Sequence, residues 1–268
     1  MNVIDIAAKQ SEAHMEPGDY VKDGLIYCGH CRTPKQCRIS VDGNPRVFGC
    51  QCACKERQYQ AELKARRDEE MRLRIEELRV NGIADREIRE YSFADADDTP
   101  EIERAKHYAQ DFKDMEENNI GLLFWGSIGS GKTFAAGCIA NALISSGIPA
   151  LVTSIPSILA APYNERGEII SGMATYPLLV LDDLGAERGT EFAVETVYNV
   201  IDARYKSRRP LIVTTNLSLD DLRHPKDVDY ARIYDRVLSM CTPVCFKGPS
   251  RRKKDAARKT EILRRLCS

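Results

Sequence analysis

The pattern of apolar and polar positions changes twice along this chain of 268 residues. Up to about residue 55 there is little helical periodicity, and Cys, Gly and Pro are frequent. From about 56 to 90 the chain is dense in Glu, Arg and Lys, with apolar residues one or two helical turns apart. This predicts an exposed helix that Asn81-Gly82 interrupts. We therefore expect a small N-terminal module at 1–55, a helical linker at 56–90 and a larger domain at 91–268.

In the third region, apolar runs of strand length alternate with amphipathic segments of helix length. The predicted strands are Gly121–Trp125, Ala150–Ser154, Leu178–Leu181, Leu211–Thr215 and Val244–Phe246. The predicted helices are Glu101–Glu117, Lys132–Ser145, Ser157–Ala161, Glu191–Ser207 and Ala231–Leu238. Such alternation is typical of an α/β fold with a mostly parallel sheet, which is the fold class that we predict.

A glycine-rich segment follows the first of these strands. Residues 126 to 133 read Gly-Ser-Ile-Gly-Ser-Gly-Lys-Thr, which is a complete G-x-x-x-x-G-K-T phosphate loop. Its backbone N–H groups can wrap a polyphosphate at the positive end of the following helix. Lys132 can reach the β- and γ-phosphates, and Thr133 can place its hydroxyl on Mg²⁺. The motif predicts a nucleoside triphosphate site at Gly126, Ser127, Gly129, Ser130, Gly131, Lys132 and Thr133.

Two later strands also end in polar side chains. Asp182 and Asp183 follow an apolar run, at a strand end where oxygen ligands for Mg²⁺ are expected. We expect Asp182 to hold Mg²⁺ through water and Asp183 to polarise the attacking water. Asn216 ends the next strand, where it either holds that water and senses the γ-phosphate or serves only as a turn residue.

Cysteines are clustered near the N-terminus. Cys28 and Cys31 form a C-x-x-C pair, and Cys50, Cys52 and Cys54 follow about 20 residues later. Two chelating groups at this spacing resemble a zinc ribbon or knuckle. We predict zinc ligands at Cys28, Cys31, Cys52 and Cys54, with Cys50 competing for one of the last two positions. Unligated or redox-active thiols are the alternative.

Net charge and the lengths of the apolar runs limit which partners and which cellular compartment we expect for this protein. The formal net charge is −1, so bulk charge does not predict a nucleic-acid partner. No apolar run approaches the roughly 18 residues that span a membrane, and the first 20 residues lack the apolar core of a signal peptide. We expect a cytoplasmic protein, because the sequence shows no export signal and has a nucleotide site. In that reducing compartment, clustered cysteines more often bind metal than form disulfides. The basic stretch from Arg251 to Arg265 either contacts DNA phosphates or is a solvated surface.

The order of four segments is similar to that in the AAA+ ATPases of the DnaC/DnaI helicase-loader and IstB group. The segments are G-x-x-x-x-G-K-T, L-L-V-L-D-D-L-G-A-E, P-L-I-V-T-T-N-L and R-I-Y-D-R-V, and the likeness covers roughly residues 91 to 252. The resemblance implies that Asn216 is sensor 1 and that Arg236 is an arginine finger serving a neighbouring subunit. It also implies that Arg252, with Arg251 as the rival, is a sensor-2-like arginine.

The same resemblance implies an ATPase with ATP and Mg²⁺ as cofactors. Such a protein would load the replicative DNA helicase onto single-stranded DNA and form an ATP-dependent homo-oligomer. The second acid of the L-L-V-L-D-D segment is commonly Glu in AAA+ proteins, whereas here it is the shorter Asp183. Similar cysteine clusters occur in some DnaI-like and phage-type loaders but not in IstB proteins, which favours a loader over an IstB-like transposition ATPase acting on duplex DNA. A zinc adaptor in which ATP serves as a binding switch is the other alternative.

Overall fold

The computed structural model describes residues 15–41, 43–186, 190–248 and 260–265. It divides the chain into two compact units, Met1–Arg72 and Leu73–Ser268, so the division falls inside the predicted linker. Helix α1 (Ala53–Gly82) belongs to both units. It ends at Gly82, where a Cβ atom would lie 2.1 Å from the Ala150 carbonyl oxygen. Only glycine permits this close approach of two backbone segments.

The first unit contains two antiparallel hairpins before α1. Strand β1 (Tyr20–Lys22) pairs with β2 (Leu25–Tyr27), and β3 (Gln36–Val41) pairs with β4 (Asn44–Gly49). Sequence analysis missed these four strands because β1, β2 and β4 show no alternation of apolar and polar positions. In β3 the alternation covers only six residues, none of which is buried. The hairpins instead hold the chain in place around the cysteines that lie between them and after them.

A five-stranded parallel sheet forms the centre of the second unit. Its strands are β5 (Gly121–Gly126), β6 (Ala150–Ser154), β7 (Leu178–Leu184), β8 (Leu211–Thr215) and β9 (Cys241–Phe246). They lie in the order β6-β7-β8-β5-β9, and every neighbouring pair is parallel. The strands are apolar runs because helices cover both faces of such a sheet. The predicted α/β fold with a parallel central sheet is confirmed.

Helices of the second unit bury two apolar clusters against the sheet. They are α2 (Arg86–Arg89), α3 (Pro100–Gln110), α4 (Phe112–Glu117), α5 (Lys132–Ser145), α6 (Ile155–Leu159), α7 (Arg166–Met173), α8 (Glu191–Ser207), α9 (Leu219–Arg223) and α10 (Val228–Met240). The bounds of α5 and α8 agree with the predicted ones. The prediction of one helix at Glu101–Glu117 was wrong, because Asp111 leaves helical geometry (φ −98°, ψ 24°) between α3 and α4. Within the described residues, no helix combines the length and apolar character needed to cross a bilayer.

Arg204 of α8 is a buried cation that sequence analysis missed. Its side chain is fully buried, and its guanidinium donates to the carbonyl oxygens of Tyr176 (2.7 Å), Pro177 (2.8 Å) and Pro210 (3.1 Å). No carboxylate of the described residues forms an ion pair with it. Burial lowers the pKa of Arg204 to about 10, so the group is still protonated at neutral pH. The arginine thereby ties α8 to the segments that lead into β7 and β8.

Candidate functional site

The carboxyl ends of β5, β7 and β8 border a cavity of about 360 Å³. In parallel α/β sheets this edge is where ligands bind, because the loops there leave a crevice. The cavity brings together seven residues that the sequence predicts for nucleotide binding and hydrolysis: Gly129, Gly131, Lys132, Thr133, Asp182, Asp183 and Asn216. Residues 128 and 134 and the segment from 85 to 91 complete its walls.

Glycines give the phosphate loop its shape. Gly126, Gly129 and Gly131 have φ values of 135°, 79° and 100°, which L-residues with a Cβ atom rarely adopt. A Cβ on Gly126 would also lie 2.3 Å from the Phe246 carbonyl oxygen. Gly131 is the residue that precedes the first turn of α5, so the loop leads directly into the N-terminus of that helix. This backbone suits a bound polyphosphate, whose charge the N–H groups and the helix end stabilise.

Lys132 is almost completely buried beneath the loop, with 5% of its surface exposed. Its Nζ donates to the carbonyl oxygens of Gly126 (2.9 Å) and Ser127 (2.8 Å) and to Oδ1 of Asn216 (2.8 Å). The lysine thus contacts the end of β8 across the cavity. The structure places Asn216 at the phosphate loop rather than at a remote turn.

Asp182 lies at the end of the apolar part of β7. Its Oδ1 accepts hydrogen bonds from the hydroxyls of Thr133 (2.9 Å) and Thr214 (2.6 Å). Burial raises the pKa of Asp182 above its ordinary value, although both hydroxyls act in the opposite direction. Sequence analysis missed Thr214, whose position two residues before Asn216 on the adjacent strand was the available signal. The hydroxyl and carboxylate oxygens together are hard ligands of the kind that Mg²⁺ prefers.

Asp183 lies in a break of the β7 ladder. The register between β7 and β8 shifts between Leu181 and Leu184, and Asp183 adopts a positive φ of 55°. Its N–H donates to Oγ1 of Thr214 (2.9 Å), and its Oδ1 lies 3.5 Å from Nδ2 of Asn216. Aspartate tolerates the left-handed region better than most residues do. The bulge therefore turns the second carboxylate toward Asn216 rather than into the sheet.

An Asp182→Asn substitution is expected to raise the stability of the nucleotide-free protein at neutral pH. Because the folded-state pKa of Asp182 is raised, ionisation costs stability as pH rises through that pKa. Asparagine keeps the acceptor for both threonine hydroxyls without the charge. Without Mg²⁺, we expect a gain of roughly 2–4 °C in Tm at pH 7.5 that disappears toward pH 3. Thermal unfolding of both proteins between about pH 3 and pH 7.5 measures this difference in Tm, and the exposed Asp220→Asn is the control. A Tm difference that does not change with pH would show that ionisation of Asp182 is not its cause.

Arg236 does not line the nucleotide cavity. It lies on α10, where its guanidinium pairs with Asp202 of α8 (2.6 Å) and lies 4.8 Å from the centre of the Tyr198 ring. About a quarter of its side chain is exposed. The predicted arginine finger is thus held at the surface by α8. The other predicted arginine, Arg252, and its rival Arg251 lie outside the described residues.

Four cysteines of the first unit form a cluster. The Sγ atoms of Cys28, Cys31, Cys52 and Cys54 all lie within 4.8 Å of one another. The separation between Cys28 and Cys54 is 3.6 Å, close to the edge of about 3.8 Å in a tetrahedron with Zn–S bonds of about 2.3 Å. Cys50 is outside this group, with its Sγ 3.5 Å from the Pro34 carbonyl oxygen. The donor set therefore fits zinc, although zinc binding stays a prediction.

Hydrogen bonds prepare one of these thiols for metal binding. The hydroxyl of Thr33 lies 3.1 Å from the Cys31 Sγ, and this contact holds the pKa of the Cys31 thiol at about 5. A thiolate is the form that binds a metal. The loop that carries Cys28 and Cys31 is fixed by Asp19, whose Oδ1 accepts from the Gly29 N–H (3.0 Å).

Relatives of this chain include two replicative helicase loaders. DnaI of Bacillus subtilis (strain 168) is 24% identical over 245 residues, which cover 84% of this chain and 78% of DnaI. DnaC of Escherichia coli (strain K12) is 23% identical over 128 residues, which cover 45% of this chain and 51% of DnaC. This chain therefore spans most of DnaI but about half of DnaC. The predicted resemblance to the DnaC/DnaI and IstB group is confirmed.

Solved structures agree with this relationship. The crystal structure of DnaI superposes with a TM-score of 0.53 at 26% identity, over 62% of this chain and 93% of that one. The crystal structure of the DnaC helicase loader superposes with a TM-score of 0.50 at 23% identity. The match covers 61% of this chain and 100% of that one, and it shows a shared fold. The sequence model of the family of IstB-like ATP binding proteins matches residues 56–259. This range includes every residue that lines the nucleotide cavity. The chain belongs to the family of IstB-like ATP binding proteins.

Proposed function

We propose that this protein is an ATPase that loads a replicative DNA helicase onto single-stranded DNA. The main support is a series of side-chain hydrogen bonds from Lys132 to Asn216 and from Asn216 to Asp183. These bonds join the phosphate loop to the ends of β7 and β8. The relationship to DnaI over most of its length supports the loader role. We assign the protein to the cytoplasm, where a reducing environment keeps the cysteine cluster available for zinc.

Five side chains of the cavity have assigned roles in ATP hydrolysis. Lys132 neutralises charge on the β- and γ-phosphates. Thr133 and Asp182 would hold Mg²⁺, which neutralises further phosphate charge when bound. Asp183 polarises the attacking water, and Asn216, fixed by Lys132 on one side, orients that water against the γ-phosphate. The Asp183 side chain is shorter than the commoner Glu, and the bulge in β7 turns its carboxylate toward Asn216.

The first unit is the proposed helicase-binding part. Val21, Ile39 and Val47 are exposed on its hairpins, although the unit is small. We assign the helicase contact to these hairpins, which present the three apolar side chains to solvent. Zinc bound by the four cysteines would hold these hairpins in place, because so small a unit has little core of its own.

Single-stranded DNA has a candidate contact surface on the second unit. The side chains of Tyr163 and Phe192 are exposed, and their ring centroids are 5.9 Å apart. The Arg166 guanidinium lies 4.5 Å from the Phe192 ring centroid and 5.9 Å from that of Tyr163. Exposed aromatic rings beside an arginine are suited to stack on unpaired bases and to attract phosphates. We assign DNA contact to this surface.

The helicase role predicts a specific effect of zinc loss. Purified protein should contain about one zinc per chain, because the site offers four thiol ligands. Cys28→Ser should lose the metal and bind the replicative helicase at least about tenfold more weakly, while its ATP affinity stays unchanged. Elemental analysis, helicase pull-down and nucleotide titration measure the three quantities. Cys245→Ser, in the second unit, is the matched control.

Binding assays and ATP-turnover assays separate the alternative functions. A wild-type protein that folds without metal would end the zinc assignment. If no helicase binds but duplex DNA and a transposase do, the IstB-like transposition role replaces the loader. If helicase binds but ATP turnover stays negligible with and without single-stranded DNA, the protein is a zinc adaptor with ATP as a binding switch.

Self-assembly follows from the proposed role of Arg236. If it completes the ATP site of a neighbouring subunit, hydrolysis should rise more than linearly with protein concentration. Arg236→Ala should bind ATP nearly normally and lose this rise, at a cost of roughly 10³-fold in turnover. Mixing it with Lys132→Ala should restore part of the activity, because one interface then joins the intact Lys132 of one chain to the intact Arg236 of the other.

Steady-state ATPase assays of the separate and mixed proteins measure this complementation. Arg232→Ala, an exposed arginine one turn earlier on α10, is the control and should behave like the wild type. If the two variants associate on mixing and no activity returns, Arg236 does not act on a neighbour's ATP.

A further inference from the structure

A second cavity, of about 280 Å³, lies beside the helix that follows the phosphate loop. It is bordered by the end of α1, by residues 89–93 and by the C-terminal half of α5. Tyr91 lines both this cavity and the nucleotide cavity. The volume approaches the lower end of the range for small-ligand pockets, about 300 Å³. None of the roles assigned above uses this second cavity.

Asn141 gives the cavity a buried hydrogen-bond acceptor. Only 7% of the residue is exposed, and its Nδ2 donates to the carbonyl oxygens of Ile88 (2.7 Å), Gly137 (3.0 Å) and Tyr91 (3.1 Å). These three bonds fix which end of the amide is the nitrogen. Its buried Oδ1 then receives no hydrogen bond from any residue that the structure describes. A buried acceptor in this state costs roughly 1–3 kcal/mol, so an N–H or O–H donor is expected there.

Two arginines supply guanidinium N–H groups to the same cavity. The buried Nε of Arg79 has no acceptor within the described part of the chain. Its other nitrogens lie 3.4 Å from the Ser145 Oγ and 3.6 Å from the exposed carboxylate of Glu76. Arg89 donates to two backbone carbonyl oxygens near the end of α1 and forms no ion pair with a described residue. Glu76 and Glu90 balance the two arginines in formal charge, so the feature that suits an anion is the set of guanidinium N–H donors rather than a net positive charge.

We infer that this cavity binds a carboxylate that carries an amide N–H one carbon away. The C-terminal residue of a polypeptide and an N-acylated amino acid both have this chemistry. The carboxylate accepts from Arg79 and Arg89, and the amide N–H donates to Oδ1 of Asn141. Tyr91 and Phe93 border the space for the side chain. Capture of a C-terminal carboxylate is a recurring mode of peptide recognition.

Titration of the full-length protein with two matched probes tests this site. N-acetyl-L-leucine has the carboxylate, and N-acetyl-L-leucinamide replaces it with a neutral amide. Protein-observed NMR or calorimetry should show saturable binding of the acid and at least about fivefold weaker binding of the amide. Equal affinities, or no saturable binding of the acid, would overturn the inference and leave a cavity that holds water only.

Substitutions locate the binding. Ala142→Met should fill the cavity without removing a polar contact and weaken acid binding at least about tenfold, with folding checked by thermal unfolding. Arg79→Gln should weaken it about fivefold, and the exposed Arg86→Gln is the control. Lys132→Ala should bind the acid normally, which separates this site from the nucleotide cavity. Unchanged binding in Ala142→Met would place the ligand elsewhere.

The two sources of this ligand chemistry give different results with a longer probe. If a polypeptide C-terminus is the occupant, acetyl-Ala-Ala-Leu should bind at least as tightly as N-acetyl-L-leucine. If a free N-acylated amino acid is the occupant, the two added residues should weaken binding.

Discussion

Asp183→Asn is expected to bind ATP within about twofold of wild type and to lose at least about 100-fold in turnover. Asparagine has the same size and tolerates the positive φ of 55° at this position, so the bulge in β7 should persist. It lacks the carboxylate that polarises water, a contribution of roughly 10²–10⁴-fold. Nucleotide titration and phosphate release measure the two quantities, and normal turnover in this variant would exclude Asp183 as the base.

Lys132→Ala is the complementary variant and is expected to fail at binding. Loss of a buried, charge-assisted contact worth about 3 kcal/mol weakens ATP affinity about 100-fold. Asn216 also loses its bond to the Lys132 Nζ, so residual turnover should be low. Asp220→Asn, an exposed carboxylate on α9, is the control for both measurements. ATP affinity near wild type in Lys132→Ala would contradict the assignment of the cavity.

Arg204→Met is expected to lower the free energy of unfolding by roughly 3–5 kcal/mol. The methionine fills much of the volume but leaves the buried carbonyl oxygens of Tyr176, Pro177 and Pro210 without a donor. For a unit of this size, the loss corresponds to a fall of about 6–20 °C in Tm. Chemical and thermal unfolding of the full-length protein measure it.

Arg204→Lys distinguishes the hydrogen bonds from the charge. Lysine keeps the positive charge but has no planar fork that reaches several carbonyl groups, so it should recover only part of the lost stability. Lys206→Met, an exposed position on the same helix, should change stability by less than about 1 kcal/mol. Full recovery in Arg204→Lys would mean that the charge, and not the fork of donors, stabilises this part of the fold.

Residues near one another in sequence made much of the candidate site predictable. The phosphate loop needs glycines, lysine and threonine at fixed spacing, and the apolar run before Asp182 and Asp183 marks a strand end. The bounds of α5 were predicted because a helix follows the phosphate loop, and those of α8 because apolar side chains recur along it at helical spacing. The hairpins β1 to β4 were not, since these strands are only three to six residues long and are held by pairing with each other rather than by a buried apolar face.

The sequence by itself determined that this chain has a phosphate loop, a parallel α/β fold and two groups of closely spaced cysteines. Only the tertiary structure decided which thiols lie together, with Cys50 outside the cluster. It also decided that Thr214 shares the Asp182 carboxylate with Thr133, and that Arg204 is buried among carbonyl groups. The reason is physical: local spacing fixes elements and motifs, whereas these contacts join residues 26 to 49 positions apart and depend on how the elements pair and pack.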